Sequence, residues 1–363
     1  MARLTRAQQQ QRTRAAVLVA ARAEFAAHGY AAAKVDRIAE RAELTRGAVY
    51  SNFAGKRALY LAVLCDAAER ELASAAPPAA PPGSREQALN AFARVWLERL
   101  PLAGDSPHHG HLQLRSLTPV IEDDAARTAL AQLVRFEALL LALAVEGDRT
   151  VPPHAVRVAE LALTLLYGAA SLAEQAPGAG DPFELARAAG HLAALPAGGA
   201  DLGPAHLPYV APARPAAEPW TAPRGLRDGI GGGPLDAGAD GVLVVLGAGR
   251  LAAAEEALRA ARPGEAVTVV VVSGDPAGTG ALVRLRVTDL AGCLRRVFPA
   301  DGLPLPRLVH DTDGAVPAAL GHRSPAGDGT EFAVRLRDGL ITARAEGRGA
   351  GHAAAVHGVR DRS

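Results

Sequence analysis

The chain has 363 residues, enough for two or three domains, with 39 Lys and Arg against 38 Asp and Glu. Its two cysteines, Cys65 and Cys293, make neither a disulfide framework nor a metal quartet. No apolar run reads as long enough to cross a bilayer, and the basic N-terminus lacks an apolar export core, so a cytoplasmic protein without membrane partners is expected.

The near-neutral total hides an uneven distribution. Residues 1–57 hold eleven Lys or Arg against four acids, a surplus of seven, and the other 306 residues carry a deficit of six. A basic head on an acidic body is the charge layout of a nucleic-acid binder. In chain order, Val35, Ile38, Ala39 and Ala42 fall at the spacing of one buried helical face. Glu43-Leu44 reads as a turn, and Thr45 as the N-cap of a second helix with Val49 and Phe53 turned inward. Arg46, Gly47 and Tyr50 share its outer face, with Ser51 at the edge. Glycine is costly inside a helix, so Gly47 suggests close approach of the backbone to a phosphate or base edge. Gly55-Lys56 then opens a long apolar helix whose N-terminus suits a phosphate. Two short helices joined by a tight turn make a helix-turn-helix, whose second helix enters the DNA major groove.

From about Arg12 to Leu64 the sequence resembles the DNA-binding domain of the TetR family of transcriptional regulators. The resemblance rests on Phe25, Gly29-Tyr30, Ile38-Ala39, the run Thr45-Arg-Gly-Ala-Val-Tyr-Ser-Asn-Phe53, Lys56 and Leu59. Two departures stand out. Glu43 replaces the usual turn glycine and Ala33 the frequent threonine N-cap of the first motif helix, each costing about 1 kcal/mol of local stability. By position, the resemblance gives Thr45, Arg46 and Gly47 to base edges or adjoining phosphates. It gives Tyr50, Ser51 and Lys56 mainly to the phosphate backbone, with Lys34 and Asn52 as further DNA contacts. Arg46 alone here can make a bidentate guanine contact.

Residues 77–83 break the long helix, and Ser84-Arg-Glu-Gln87 reads as a capping box. Helical patterns follow over roughly 84–101, 110–121, 124–146, 154–175 and 182–195. The all-helical body resembles the effector-binding and dimerisation domain of the same family, whose last two helices build a homodimer interface. The small centre Tyr167-Gly168-Ala169-Ala170 leaves room for another helix. Phe92, Trp96, Leu112, Leu114, Leu117, Leu133, Phe136 and Leu140 are read as the lining of a small-molecule effector pocket or as plain core. His108-His109-Gly-His111 has no nearby carboxylate or thiol and reads as loop.

Residues 196–238 are rich in Pro, Gly and Ala and read as a linker. Strands are predicted at 241–246 and 266–273 around a helix at 252–261. A helix over 290–298, a strand over 307–311 and a hairpin at 332–336 and 340–345 follow. This order, with Asp311-Thr-Asp-Gly314 and Arg337-Asp-Gly339-Leu-Ile, resembles the thioredoxin-like fold, in particular peroxiredoxins and the cysteine-free tails of some flavin hydroxylases. No cysteine follows the first strand, so redox chemistry is not carried over. Gly247-Ala-Gly249 is a weak match to a dinucleotide loop.

The expected organisation is an all-α part, then an α/β thioredoxin-like part. Its divisions are a helix-turn-helix domain at 1–64, a helical effector and dimerisation domain at 65–195, the linker, a thioredoxin-like domain at 239–350, and a tail at 351–363. The expected function is a ligand-responsive repressor binding a palindromic operator as a dimer. Neither catalytic residues, nor a metal set, nor a cofactor site is read. The alternatives are a redox-responsive regulator acting through Cys65 or Cys293, and an enzyme with a DNA-targeting head.

Overall fold

The computed structural model describes residues 5–98, 100, 117, 120–121, 123–148, 151–176, 178–196, 204–299 and 303–358. His108, His109, His111, Leu112 and Leu114, with most of the helix predicted at 110–121, lie outside the described residues.

The head is built from α1 (Arg6–Ala32), α2 (Val35–Arg41), α3 (Arg46–Asn52) and the first half of α4 (Lys56–Ser74). Thr5 starts α1 with a capping box to Gln8. Near its end, Gly29 at φ 67° breaks the helix and turns Tyr30 onto Tyr60, with ring centroids 5.0 Å apart. Ile38, Val49, Phe53, Leu59 and Phe25 close the core beneath the motif. Ala33 is not the N-cap of α2. It is buried, Lys34 holds the cap position, and the Lys34 backbone N–H donates to buried Glu24 at 3.2 Å. A carboxylate from α1 therefore satisfies the N–H of the N-cap residue, while no side chain caps the first turn of α2.

The body comprises α5 (Arg85–Leu97), α6 (Asp124–Glu146), α7 (Pro153–Gln175) and α8 (Pro182–His191). Ser84 caps α5 by accepting from the Gln87 N–H, but Gln87 returns its side chain to the Gly83 N–H, so the box is half formed. Asp123 caps α6 at 2.7 Å, and left-handed Gly147 ends it. Contrary to the reading of the bare sequence, α6 and α7 are each long and apolar enough to cross a membrane by length and composition. The most apolar window of α6 is 61% buried within the fold, that of α7 only 33%.

Among the described residues, six strands form one mixed sheet in the order β1-β6-β5-β2-β3-β4, with β1 Arg214–Pro219, β2 Gly241–Gly247, β3 Ala266–Val272, β4 Arg307–His310, β5 Glu331–Arg337 and β6 Leu340–Glu346. Parallel pairs β2–β3 and β3–β4 make one half, and antiparallel β2–β5 and β5–β6 the other. The short elements α9 (Ala254–Ala260) and α11 (Ala315–Ala319) belong to this unit. The stretch expected as a linker is not free chain in its second half. Arg214–Pro219 pairs with β6, and buried Trp220 donates its indole N–H to the Ala237 carbonyl. A prolyl strand is tolerated because β1 is an edge. The expected 351–363 tail likewise begins with a buried helix, α12 (Ala350–Val356), whose alanines pack on β5. Gly247 and Gly249 are not a phosphate loop: their N–H groups donate to the carbonyls of Thr330 and Asp328. A Cβ at Gly247 would lie 2.3 Å from the Gly327 oxygen.

The largest departure concerns α10, which runs over Thr279–Val297, far beyond the predicted 290–298. It is buried on nearly every side: α4, α5 and α6 pack against it, and its Val283, Val287, Leu290 and Leu294 share one apolar cluster with Val269 and Val271 of β3 and Leu308 of β4. Leu282 and Leu285 belong to the same apolar cluster as the head core, and Val283, Val287, Leu290 and Leu294 to that of the body. Polar groups on α10 are matched across the junction. Arg286 makes two bonds to Glu137 of α6 at 2.9 and 2.6 Å, Tyr167 donates to the same carboxylate at 2.8 Å, and the Arg286 guanidinium lies 4.1 Å from the Tyr167 ring centre. Burial alone would lower the Arg286 pKa, but the adjacent Glu137 carboxylate raises it and keeps the guanidinium charged.

Candidate nucleic-acid interface

The turn between α2 and α3 is a Schellman arrangement. The Leu44 N–H reaches the Ala39 carbonyl at 2.9 Å and the Glu43 N–H that of Glu40 at 3.0 Å. This places Glu43 at φ 55°, in the left-handed region that glycine adopts without cost. Glu43→Gly is expected to raise stability by about 0.5–1 kcal/mol, read as a higher urea midpoint at unchanged slope. A lower midpoint would contradict this account of the turn.

Thr45 caps α3 by accepting from the Ala48 N–H at 3.2 Å, and Val49 and Phe53 are buried. That anchoring leaves Thr45, Arg46, Gly47, Tyr50 and Ser51 exposed on one surface. Arg46 leans on Asp36 of α2 at 3.2 Å and on the Tyr50 ring, with 60% of its side chain exposed. An incoming guanine edge or phosphate competes with one exposed carboxylate, a weak restraint. A Cβ at Gly47 would meet only the Thr45 hydroxyl at 3.8 Å, so packing within the chain does not require glycine there.

The remaining residues of the set are less free. Asn52 is half-buried and donates to the Ala48 carbonyl at 2.8 Å, while Arg14 holds the Asn52 carbonyl at 3.0 Å. Lys56 donates to the Ala31 carbonyl at 3.0 Å and sits over the Tyr30 ring; partial burial draws its pKa below the ordinary value. It therefore ties the start of α4 to the end of α1 as well as standing beside the uncapped α4 N-terminus. Lys34 is exposed at the start of α2. Arg14 and Glu24 are supports that the motif reading missed, since neither falls within the helix-turn-helix itself.

Of the residues read as pocket lining, Phe92, Leu133 and Phe136 are sealed in the core, and Leu140 is buried with them. Trp96 and Leu117 do line a cavity of about 320 Å3, together with Ile121, Leu130, Val134 and Tyr167. Arg286 and Asp289 from α10 complete its wall. Both cysteines are buried, and burial pushes the Cys65 thiol up to about 12, with its Sγ turned to the Ala281 carbonyl. A thiol so placed is a poor nucleophile.

Residues 17–63 match the model of the bacterial regulatory proteins of the tetR family. The head is a tetR-type helix-turn-helix region. The match runs from the middle of α1 into α4 and contains every residue of the candidate interface. Among solved structures, the chain is similar to a transcriptional regulator from Rhodococcus sp. Rha1 at 22% identity, with a TM-score of 0.34 and coverage of 50% of this chain and 94% of that one. A TetR-family transcriptional regulator from Pectobacterium atrosepticum follows at 23% identity, with a TM-score of 0.32 and coverage of 53% and 93%. Comparison with curated proteins gives no match.

Proposed function

We propose that the chain is a ligand-responsive transcriptional repressor of the TetR type that binds a palindromic operator as a homodimer in the cytoplasm. The observation that carries this reading is the exposed α3 surface of Thr45, Arg46, Gly47 and Tyr50 on a basic head that matches the tetR family. That match favours a regulator over an enzyme with a DNA-targeting head, and the buried thiols disfavour redox control. Selection of bound fragments from random and genomic DNA gives the operator. Arg46→Ala should then weaken operator binding by about 1–3 kcal/mol while leaving random DNA nearly unaffected. Lys56→Ala should weaken both and flatten the salt slope by about one unit. Equal losses on both DNAs for Arg46→Ala would remove its base-reading role, and no selected sequence at all would remove the function.

The dimer reading is supported by the outer face of α7. Leu161, Leu165, Gly168 and Leu172 recur along one stripe, with Leu161 and Leu172 about half exposed and nothing within 4 Å of a Cβ at Gly168. Phe183 on α8 is 67% exposed. An apolar stripe with a glycine at its centre suits close packing of a second copy. Leu161→Asp with Leu172→Asp should reduce the sedimenting species to the 37.3 kDa monomer, and a wild-type chain that already sediments as a monomer would overturn the dimer. The effector reading is supported by the cavity at Trp96, Leu117 and Tyr167, where an apolar ligand would shift the balance of two head positions. The thioredoxin-like reading of the sheet unit is supported by the β-α-β order of β2 and β3 followed by the β5–β6 hairpin.

A further inference from the structure

A cleft of about 570 Å3 lies between the C-terminal end of α4 and the sheet unit. It opens over the carboxyl end of β4, and a smaller cavity at the carboxyl end of the parallel neighbour β3, beside Val272, Ser273 and Gly280, shares Arg284, His310 and Thr312 with it. The carboxyl ends of parallel strands are where open α/β sheets place ligands.

Three arginines converge there, Arg227 from the glycine-rich loop and Arg284 and Arg295 from α10. Arg227 donates to the Gly232 carbonyl, and Arg295 to the carbonyls of Leu72 and Gly231; neither meets a carboxylate among the described residues. Each guanidinium has five N–H donors, so both keep donors to spare. Arg284 pairs with Glu69 of α4. The other acid of the cleft, Asp228, is fixed through its Oδ1, which accepts from the N–H groups of Ile230 and Leu308 at 3.0 and 3.1 Å. The His310 ring packs on Gly229, and its buried Nε2 has no hydrogen-bond partner among the described residues. Positive charge thus exceeds negative among the side chains lining this half-open cleft, which favours uptake of an anion.

We propose that this cleft binds a small organic polyanion through its carboxylate or phosphate oxygens, held by Arg227, Arg284 and Arg295, with the Thr312 hydroxyl turning to it from Asp313. The occupant competes with Glu69 for Arg284. It also contacts Arg295, which holds the Leu72 carbonyl in the last turn of α4. The site therefore reports to the helix whose other half carries the core of the head, at a place separate from the apolar cavity of the body.

Calorimetric titration of the full chain at low ionic strength with citrate, and separately with inorganic pyrophosphate, tests the site without reference to DNA. Saturable one-to-one binding of either probe is expected, and the two arms tell a carboxylate ligand from a phosphate ligand. Arg227→Gln, at an exposed position whose fold is checked by circular dichroism, should weaken binding about tenfold. Glu69→Gln should tighten it by removing the internal competitor. Arg187→Gln, which removes a charge from α8, should leave it unchanged. Absence of saturable binding by both probes overturns the proposal, as do equal losses in Arg187→Gln and Arg227→Gln.

Discussion

Arg286→Met is expected to lower the unfolding free energy by about 3–5 kcal/mol, because it strands the Glu137 carboxylate in the interior. Glu137 is fully buried, and its two oxygens are satisfied by Arg286 and Tyr167 alone among the described residues. The double change Glu137→Leu with Arg286→Met removes both charges and should recover most of the loss, since a buried ion pair is often no better than an apolar pair of similar volume. Urea unfolding of the two singles and the double separates the terms as a double-mutant cycle. A single Arg286→Met with wild-type stability would show that the junction between α10 and α6 does not hold as described.

Removal of residues 204–363 should abolish folding of the helical part, not leave a free-standing regulator. The truncation strips α4 and α6 of Leu282, Val283, Leu285, Val287, Leu290 and Leu294, all of them at most 5% exposed. At about 1.5–3 kcal/mol for each buried aliphatic side chain, the loss is on the order of 10 kcal/mol, the size of a whole domain's stability. It also uncovers an apolar surface that favours aggregation. The check is the solubility and far-ultraviolet circular dichroism of residues 1–203. A soluble, cooperatively melting fragment would mean that the sheet unit is merely appended.

The head was the most legible part of the sequence. Its signals are local: a Thr45 cap, a two-residue turn, and inward Val49 and Phe53 four positions apart. The α6 and α7 boundaries were equally clear because an acidic cap, Gly147 and Pro153 mark them. The α10 helix was not, and the reason is physical. A helix buried on nearly every side has no continuous polar face, so Arg284 and Arg286 look like interruptions until their partners on α4 and α6 are known. The same holds for Arg214–Pro219, where proline and alanine conceal an edge strand whose pairing comes from residues more than 120 positions away. In the interface, exposure of Arg46 and Gly47 followed from the helical period. The ties of Asn52 to Ala48 and of Lys56 to Ala31 did not, because backbone carbonyls carry no sequence signature. The apolar residues nominated for the pocket divided for a similar reason: helical spacing places Phe92, Leu133 and Trp96 indoors but does not say which borders a cavity.

The placement of Leu282 and Leu285 beside the head core has a consequence for how the chain is made. Synthesis runs from the N-terminus, so the DNA-binding helices emerge first, yet Cys65 must wait for Ala281, 216 residues later, to find its neighbour. At about 5–20 residues per second the delay is on the order of 10–40 s, long against helix formation or collapse. During that interval the inner flank of α4 is a greasy surface on a basic, nascent segment, and the head is finished only after α10 of the sheet unit that follows it in the chain has been made.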